Sequence, residues 1–206
     1  QTQGTAELRE AIGRMLADRA ADWADGRVLI TSGVSGGLLL AFMALLDPGD
    51  EVVVPDPYFV MYKHLVNLVG ATPVFLPTYP DFRLDADKLD AAITARTKLV
   101  LINSPANPTG KVASAEELKA VLEVCRRRGV LALSDEIYDR FNYDGDFRSA
   151  AEFAAPDELI LLGGFSKSYA MTGWRMGWAV GPTRVIEEMT KLQQYTFVCA
   201  PSMVQQ

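Results

Sequence analysis

The sequence predicts an α/β fold: a three-layer α/β/α sandwich around a mostly parallel sheet of seven strands. Three observations predict it. Short apolar runs alternate along the chain with stretches of helical periodicity. Several of these runs are continuously apolar, as strands covered on both faces are. Glycines and polar residues gather just beyond the runs, at the carboxyl edge where open sheets of this kind hold ligands.

The elements follow in order. Residues 6–20 carry Leu8, Ile12, Met15 and Leu16 at helical spacing. A strand at 28–31 leads through Gly33-Val34-Ser35-Gly36-Gly37 into an apolar helix that runs to Leu46. Asp47-Pro48-Gly49-Asp50 is a turn, and a Val-rich strand occupies 51–55. Residues 58–68 suit a helix, and 72–76 and 98–103 are strands. Ser114 with Glu117 three residues on is a capping box, and Leu118, Val121, Leu122 and Cys125 form the stripe of the helix it opens. Arg126, Arg127 and Arg128 suit that helix's C-terminal dipole, and Gly129 stops it. Strands at 130–134, 159–163 and 177–181 complete the seven. No crossover helix joins the last two, so the final strand is expected to run antiparallel. Residues 183–198 read as a long helix leaving the domain. The expected division is an N-terminal helical segment at 1–25, the main domain at 26–182 and a connecting helix at 183–206.

Composition excludes several functions. With 20 Lys+Arg against 26 Asp+Glu, and its densest basic cluster already assigned to a helix end, the chain offers nothing to nucleic acid. The most apolar run, 38–46, is too short to span a bilayer, so no membrane partner is expected. Cys125 and Cys199 are far apart, no CxxC occurs and the one histidine is His64, which excludes a zinc site and any other obvious metal centre. The lack of a disulfide framework points to a reducing compartment, the cytoplasm. No signal peptide opens the chain, and a helical pattern starting almost at once without an initiator Met suggests a piece of a longer protein.

Five features carry chemistry. Backbone N–H groups at residues 33–37 can cradle a phosphate at a helix start. Taken alone, such a stretch is more often just a tight turn, and it has neither a Walker A loop nor GxGxxG spacing. Lys167, in Gly163-Gly164-Phe165-Ser166-Lys167-Ser168, follows a buried strand. Desolvation there would lower a lysine's pKa and favour Schiff-base chemistry, unless the side chain snorkels to the surface. Arg175 suits bidentate phosphate binding or a structural ion pair. Asp135 ends a strand, where a carboxylate can pair with a protonated ring nitrogen or cap a loop, and Tyr138 lies three residues on. Asn107 sits in Asn103-Ser104-Pro105-Ala106-Asn107-Pro108-Thr109-Gly110, which is also plain turn chemistry.

Three segments resemble the signature segments of the class I/II aminotransferases, pyridoxal-phosphate (PLP) enzymes of fold type I in the aspartate aminotransferase superfamily. They are Asn107-Pro108-Thr109-Gly110, Ser134-Asp135-Glu136-Ile137-Tyr138, and the run from Phe165 through Ser166-Lys167-Ser168 to Gly173-Trp174-Arg175-Met176-Gly177. Asp47-Pro48-Gly49-Asp50-Glu51-Val52 and Asp56-Pro57-Tyr58-Phe59 resemble their usual neighbours, and the similarity runs in order over essentially the whole chain. The lysine segment is the most specific of them.

The resemblance implies the large, PLP-binding domain of an aminotransferase that acts on an amino acid and a 2-oxo acid, working as a homodimer. It implies that Lys167 carries PLP as a Schiff base and shuttles the substrate Cα proton. Asp135 would keep the pyridine nitrogen protonated, so that the ring acts as an electron sink. Asn107 and Tyr138 would bond the ring's 3-oxygen, and Phe59, rather than Tyr58, would stack on its face. The backbone of Val34 and Ser35, with Gly36 nearby, together with the side chains of Ser166 and Arg175, would hold the phosphate. One departure is Gly164, where many members have a serine. The family's substrate-carboxylate arginine, in a small C-terminal domain, and an N-terminal tyrosine that reaches into the partner's site are expected outside these 206 residues. Other PLP chemistry on the same motifs (a β-lyase, a decarboxylase or a cyclopropane-forming synthase) stays open, as does a PLP-binding regulatory module.

Overall fold

A computed structural model describes residues 2–23 and 27–206. In these residues seven strands form one sheet: β1 (Arg27–Thr31), β2 (Glu51–Asp56), β3 (Thr72–Pro77), β4 (Thr97–Asn103), β5 (Leu131–Asp135), β6 (Leu159–Gly164) and β7 (Gly177–Gly181). Their order is β1-β7-β6-β5-β4-β2-β3. β7 lies between β1 and β6 and runs antiparallel to both, while the other pairings are parallel, as the missing crossover predicted.

Among the described residues, six α-helices cover the sheet: α1 (Ala6–Ala17), α2 (Gly33–Leu45), α3 (Met61–Leu68), α4 (Ala86–Ala92), α5 (Ala115–Arg128) and α6 (Thr183–Thr196). Adjacent residues of each central strand serve opposite layers. Val100 and Ile102 pack with α1, α4 and α5 side chains such as Leu16, Leu89 and Leu122. Leu99 and Leu101 pack with α2, α3 and α6 through Leu38, Tyr62 and Met189. Continuous apolar strands are what this double burial requires, since each large side chain removed from water contributes about 1.5–3 kcal/mol.

Local signals act where expected. Ser114 and Glu117 close a reciprocal capping box on α5, and Gly129 ends that helix in the left-handed conformation. Four differences from the sequence reading have physical causes. α2 begins at Gly33 rather than after Gly37, so the glycine-rich stretch is its first turn. β5 is shifted by one residue and ends on Asp135 itself. α4 was not assigned from the sequence: it is only 7 residues long, starts where Asp85 caps two amides and buries Leu89 alone. α6 does not leave the domain. It buries Ile186, Met189 and Gln193, and the Gln193 amide donates to the carbonyls of Thr2 and Ile30. The expected boundary between 25 and 26 lies outside the described residues. No helix of the described residues is long and apolar enough to cross a membrane.

Candidate active site

At the carboxyl edge of the sheet the ends of β1, β5 and β6 converge. Thr31 and Gly164 both pair with Gly177, the first residue of β7, and Asp135 pairs with Asn103. Loops from these ends enclose a cavity of about 220 Å³. Its wall includes Val34, Ser35, Phe59, Asn107, Asp135, Tyr138, Ser166, Lys167 and Arg175, each named from the sequence. Gly36 is the exception: it is buried off the wall and faces Ser32, whose Cβ lies 3.3 Å from where a Gly36 side chain would begin.

One end of the cavity gathers donors that could hold an anion. Ser32, at the N-cap of α2, makes no side-chain cap bond and the first turn holds no acid, so the opening amides and the positive end of the helix dipole face outward. Gly33 has φ +68°, and a side chain there would start 2.7 Å from Nη2 of Arg175. The bare glycine lets the guanidinium lie close against the helix start. Gly177 has the same role from below, since an added Cβ would meet the carbonyl carbon of Gly33 at 2.5 Å and the amide nitrogen of Val34 at 2.7 Å. Arg175 itself has φ 56°, a conformation that costs a non-glycine residue on the order of 1 kcal/mol. Its Nη1 donates to the carbonyl of Thr172 at 2.8 Å, and Thr172 Oγ1 donates to the carbonyl of Ser166 at 2.8 Å, so the two anion-facing side chains are tied to one turn.

Another part of the wall is a buried carboxylate. Asp135 is 3% exposed. Its Oδ2 accepts from the Tyr62 hydroxyl at 2.8 Å and its Oδ1 from the Ile137 amide at 3.1 Å. Burial pushes its carboxyl up to about 6, against the pull of those two donors. Tyr62 is pushed well above its ordinary range, first by burial and then by the Asp135 charge. The Asp135 backbone is held as well: Asn103 Nδ2 donates to its carbonyl at 3.0 Å while Asn103 Oδ1 accepts from the Asn107 amide at 2.8 Å. Asn103 therefore fixes Asn107 relative to Asp135.

Lys167 completes the wall, with Nζ 5.6 Å from the centroid of the Tyr138 ring. The desolvation expected of a lysine after a buried strand is not present. β6 ends at Gly164, and Lys167, three residues further on, is exposed. Phe59 faces the cavity and meets Tyr62 edge-on at 5.6 Å, whereas Tyr58 stacks on Phe75 away from it. Tyr62, Thr172 and Asn103 were missed from the sequence. Asn103 lies inside the Asn-Pro-Thr-Gly segment already singled out, and Thr172 inside the lysine segment. Tyr62 had no signal beyond its place on a helix.

A profile of the aminotransferase class I and II family matches residues 1–206. The aspartate aminotransferase of Geobacillus stearothermophilus is 41% identical over 94% of this chain and 51% of its own length. The solved structure of the N-succinyldiaminopimelate aminotransferase from Mycobacterium tuberculosis superposes with TM-score 0.94 at 33% identity, covering 100% of this chain and 55% of that one. The aspartate aminotransferase from Rhizobium meliloti superposes with TM-score 0.92 at 38% identity, covering 99% and 53%. The chain thus spans about half the length of the relatives it matches.

Proposed function

The chain belongs to the class I and II aminotransferase family, and on that premise we propose that its protein moves an amino group from an amino acid to a 2-oxo acid with pyridoxal phosphate bound in the cavity described above. Members of this family use that cofactor. The observation that carries the reading is the division of one small cavity between an anion-binding end at the start of α2 and a buried carboxylate at Asp135. A flat cationic ring bearing a phosphate needs both.

The residues fit such a group. The amides of Val34 and Ser35, with Gly36 behind them, and the side chains of Ser166 and Arg175 would hold the phosphate. Asp135 would accept the proton of the ring nitrogen, with Tyr62 and Ile137 keeping the carboxylate in place. Phe59 would cover a ring face, and Asn107 and Tyr138 would meet the ring oxygen. When bound, the cofactor supplies an electron sink for the substrate Cα. Lys167 is the lysine proposed to hold the cofactor, and its free Nζ would take up the substrate Cα proton as a general base and return it as a general acid.

The same reading extends to the whole protein. Residues 26–182 would be the cofactor-binding large domain, and 183–206 would lead toward a smaller domain that carries the carboxylate-binding arginine. A homodimer is part of the same proposal, as the family resemblance implies. The proposed compartment is the cytoplasm, supported by the unpaired Cys125 and Cys199. Neither nucleic acid nor membrane has a part in the proposal. A half-reaction tests it. Full-length protein loaded with PLP and given an amino donor alone should release one equivalent of 2-oxo acid per site, then stop until a 2-oxo acid acceptor is added. Sustained turnover without acceptor would identify a lyase or decarboxylase instead.

A further inference from the structure

We infer that Arg19, outside the cavity, is a positioning residue that holds the Lys167 loop in place through Asp139 and Ser168. The inference rests on the reading of Lys167 given above, and it begins from that lysine's exposure. A lysine amine rides on a flexible four-carbon stem. With little packing around it, its reach is set by its backbone, and a misplacement of about 1 Å at a reacting group can cost about a hundredfold in rate. Something must therefore hold residues 165–171.

The structure shows what holds them. Ser168 follows Lys167, and its Oγ donates to Oδ1 of Asp139 at 3.1 Å. Asp139 follows Tyr138, whose ring the Lys167 amine faces. The bond thus staples the lysine loop to the tyrosine loop one residue beyond each site residue. Oδ2 of Asp139 is taken by Nη2 of Arg19 at 2.6 Å, so both carboxylate oxygens are engaged. The other arm of the guanidinium, Nη1, lies 4.0 Å from Oε2 of Glu136.

Glu136 is a fixed post. It is 3% exposed and accepts from the Ala150 amide at 2.8 Å, the Ser149 hydroxyl at 2.8 Å and the Ser134 hydroxyl at 3.1 Å. Arg19 therefore spans from the anchored Glu136 carboxylate to the carboxylate that holds Ser168. The side chains of Arg19 and Asp139 are 23% and 16% exposed, so the pair is screened less than a surface pair would be. A planar fork can reach both acids at once, and an ammonium cannot. A second tie between the loops, Arg140 over the Tyr169 ring at 5.6 Å, is exposed and correspondingly weak. None of Arg19, Asp139 or Ser168 lines the cofactor cavity. Their effect on it must pass through Lys167 and Tyr138.

Amide hydrogen exchange on the full-length protein tests this without cofactor. The amides of Ala170 and Met171 donate to the carbonyls of Lys167 and Phe165, so they report on the lysine loop. In Arg19→Met their exchange should rise about tenfold while α1 keeps its protection. Arg19→Lys should fall between the two proteins. Ser168→Ala should loosen the same amides while leaving the Asp139 and Phe141 amides, which donate to Glu136 and Tyr138, as protected as before. With PLP added, Arg19→Met should lower kcat about tenfold or more with a smaller change in KM. Faster exchange confined to α1 and the residues beside Arg19, with Ala170 and Met171 unchanged, would overturn the inference. The exchange result stands whether or not Lys167 proves to bind PLP, so failure of the functional reading would be recognised separately.

Discussion

Replacing Tyr62 by phenylalanine removes one hydroxyl and keeps the ring. That hydroxyl donates to Oδ2 of Asp135 at 2.8 Å, between side chains whose residues are 1% and 3% exposed. Asp135 would be left with one donor, the Ile137 amide at 3.1 Å. A hydrogen bond to a charged group contributes about 1.5–3 kcal/mol, and one to a neutral group about 0.5–1.5. The substitution therefore costs the carboxylate more than the acid, by about 1–2 kcal/mol, and raises the Asp135 pKa further. The direction with pH follows. Burial holds the folded-state pKa at about 6, above the ordinary value of 3.8, so stability is full below the unfolded value and is lost as pH rises through the folded one. Losing the Tyr62 donor deepens that loss on the ionised side. In urea unfolding of the cofactor-free protein, Tyr62→Phe should lower stability by about 1–2 kcal/mol more at pH 8 than at pH 5. An equal cost at both pH values would refute the assignment of the Tyr62 hydroxyl to a buried carboxylate.

Asp135→Asn removes a buried charge and should make the cofactor-free protein more stable at pH 8, by up to about 3 kcal/mol, with little change at pH 4; equilibrium unfolding at both pH values checks this, and the same variant should lose tight PLP binding in a fluorescence titration. Gly177→Ala drives a methyl into the backbone of Gly33 and Val34 and should cost about 1–3 kcal/mol along with PLP affinity, whereas Gly173→Ala, with no atom within 4 Å, should leave affinity unchanged. Ser114→Ala breaks the α5 capping box and should cost about 1 kcal/mol in thermal unfolding without altering PLP affinity.

The strands were legible because burial on both faces leaves no room for alternation, as Leu99 to Ile102 show by supplying both cores in turn. The start of α2 was not. Five residues with three glycines read as a loop, and they form a helical turn because Gly177 and Arg175 close around them from far along the chain. α6 showed its period but not its destination, because Gln193 is held by Thr2 and Ile30, more than 160 residues away. At the candidate site, most residues that line the cavity were legible through their motifs. Residues that hold those in place were less so. Tyr62 reaches Asp135 across 73 residues and Arg19 reaches Asp139 across 120, and neither belongs to a motif. Of the two readings the sequence left open for Lys167, the structure has the exposed one, because the strand before it stops at Gly164 and the loop carries the lysine outward.

The central claim is that Lys167 carries pyridoxal phosphate in the cavity between α2 and Asp135. The direct measurement is borohydride reduction of the PLP-loaded full-length protein, followed by peptide mass mapping. One pyridoxyl label per chain is expected, on Lys167, and none in a folded Lys167→Ala protein. Label spread over other lysines, or equal labelling of the Lys167→Ala protein, would contradict it.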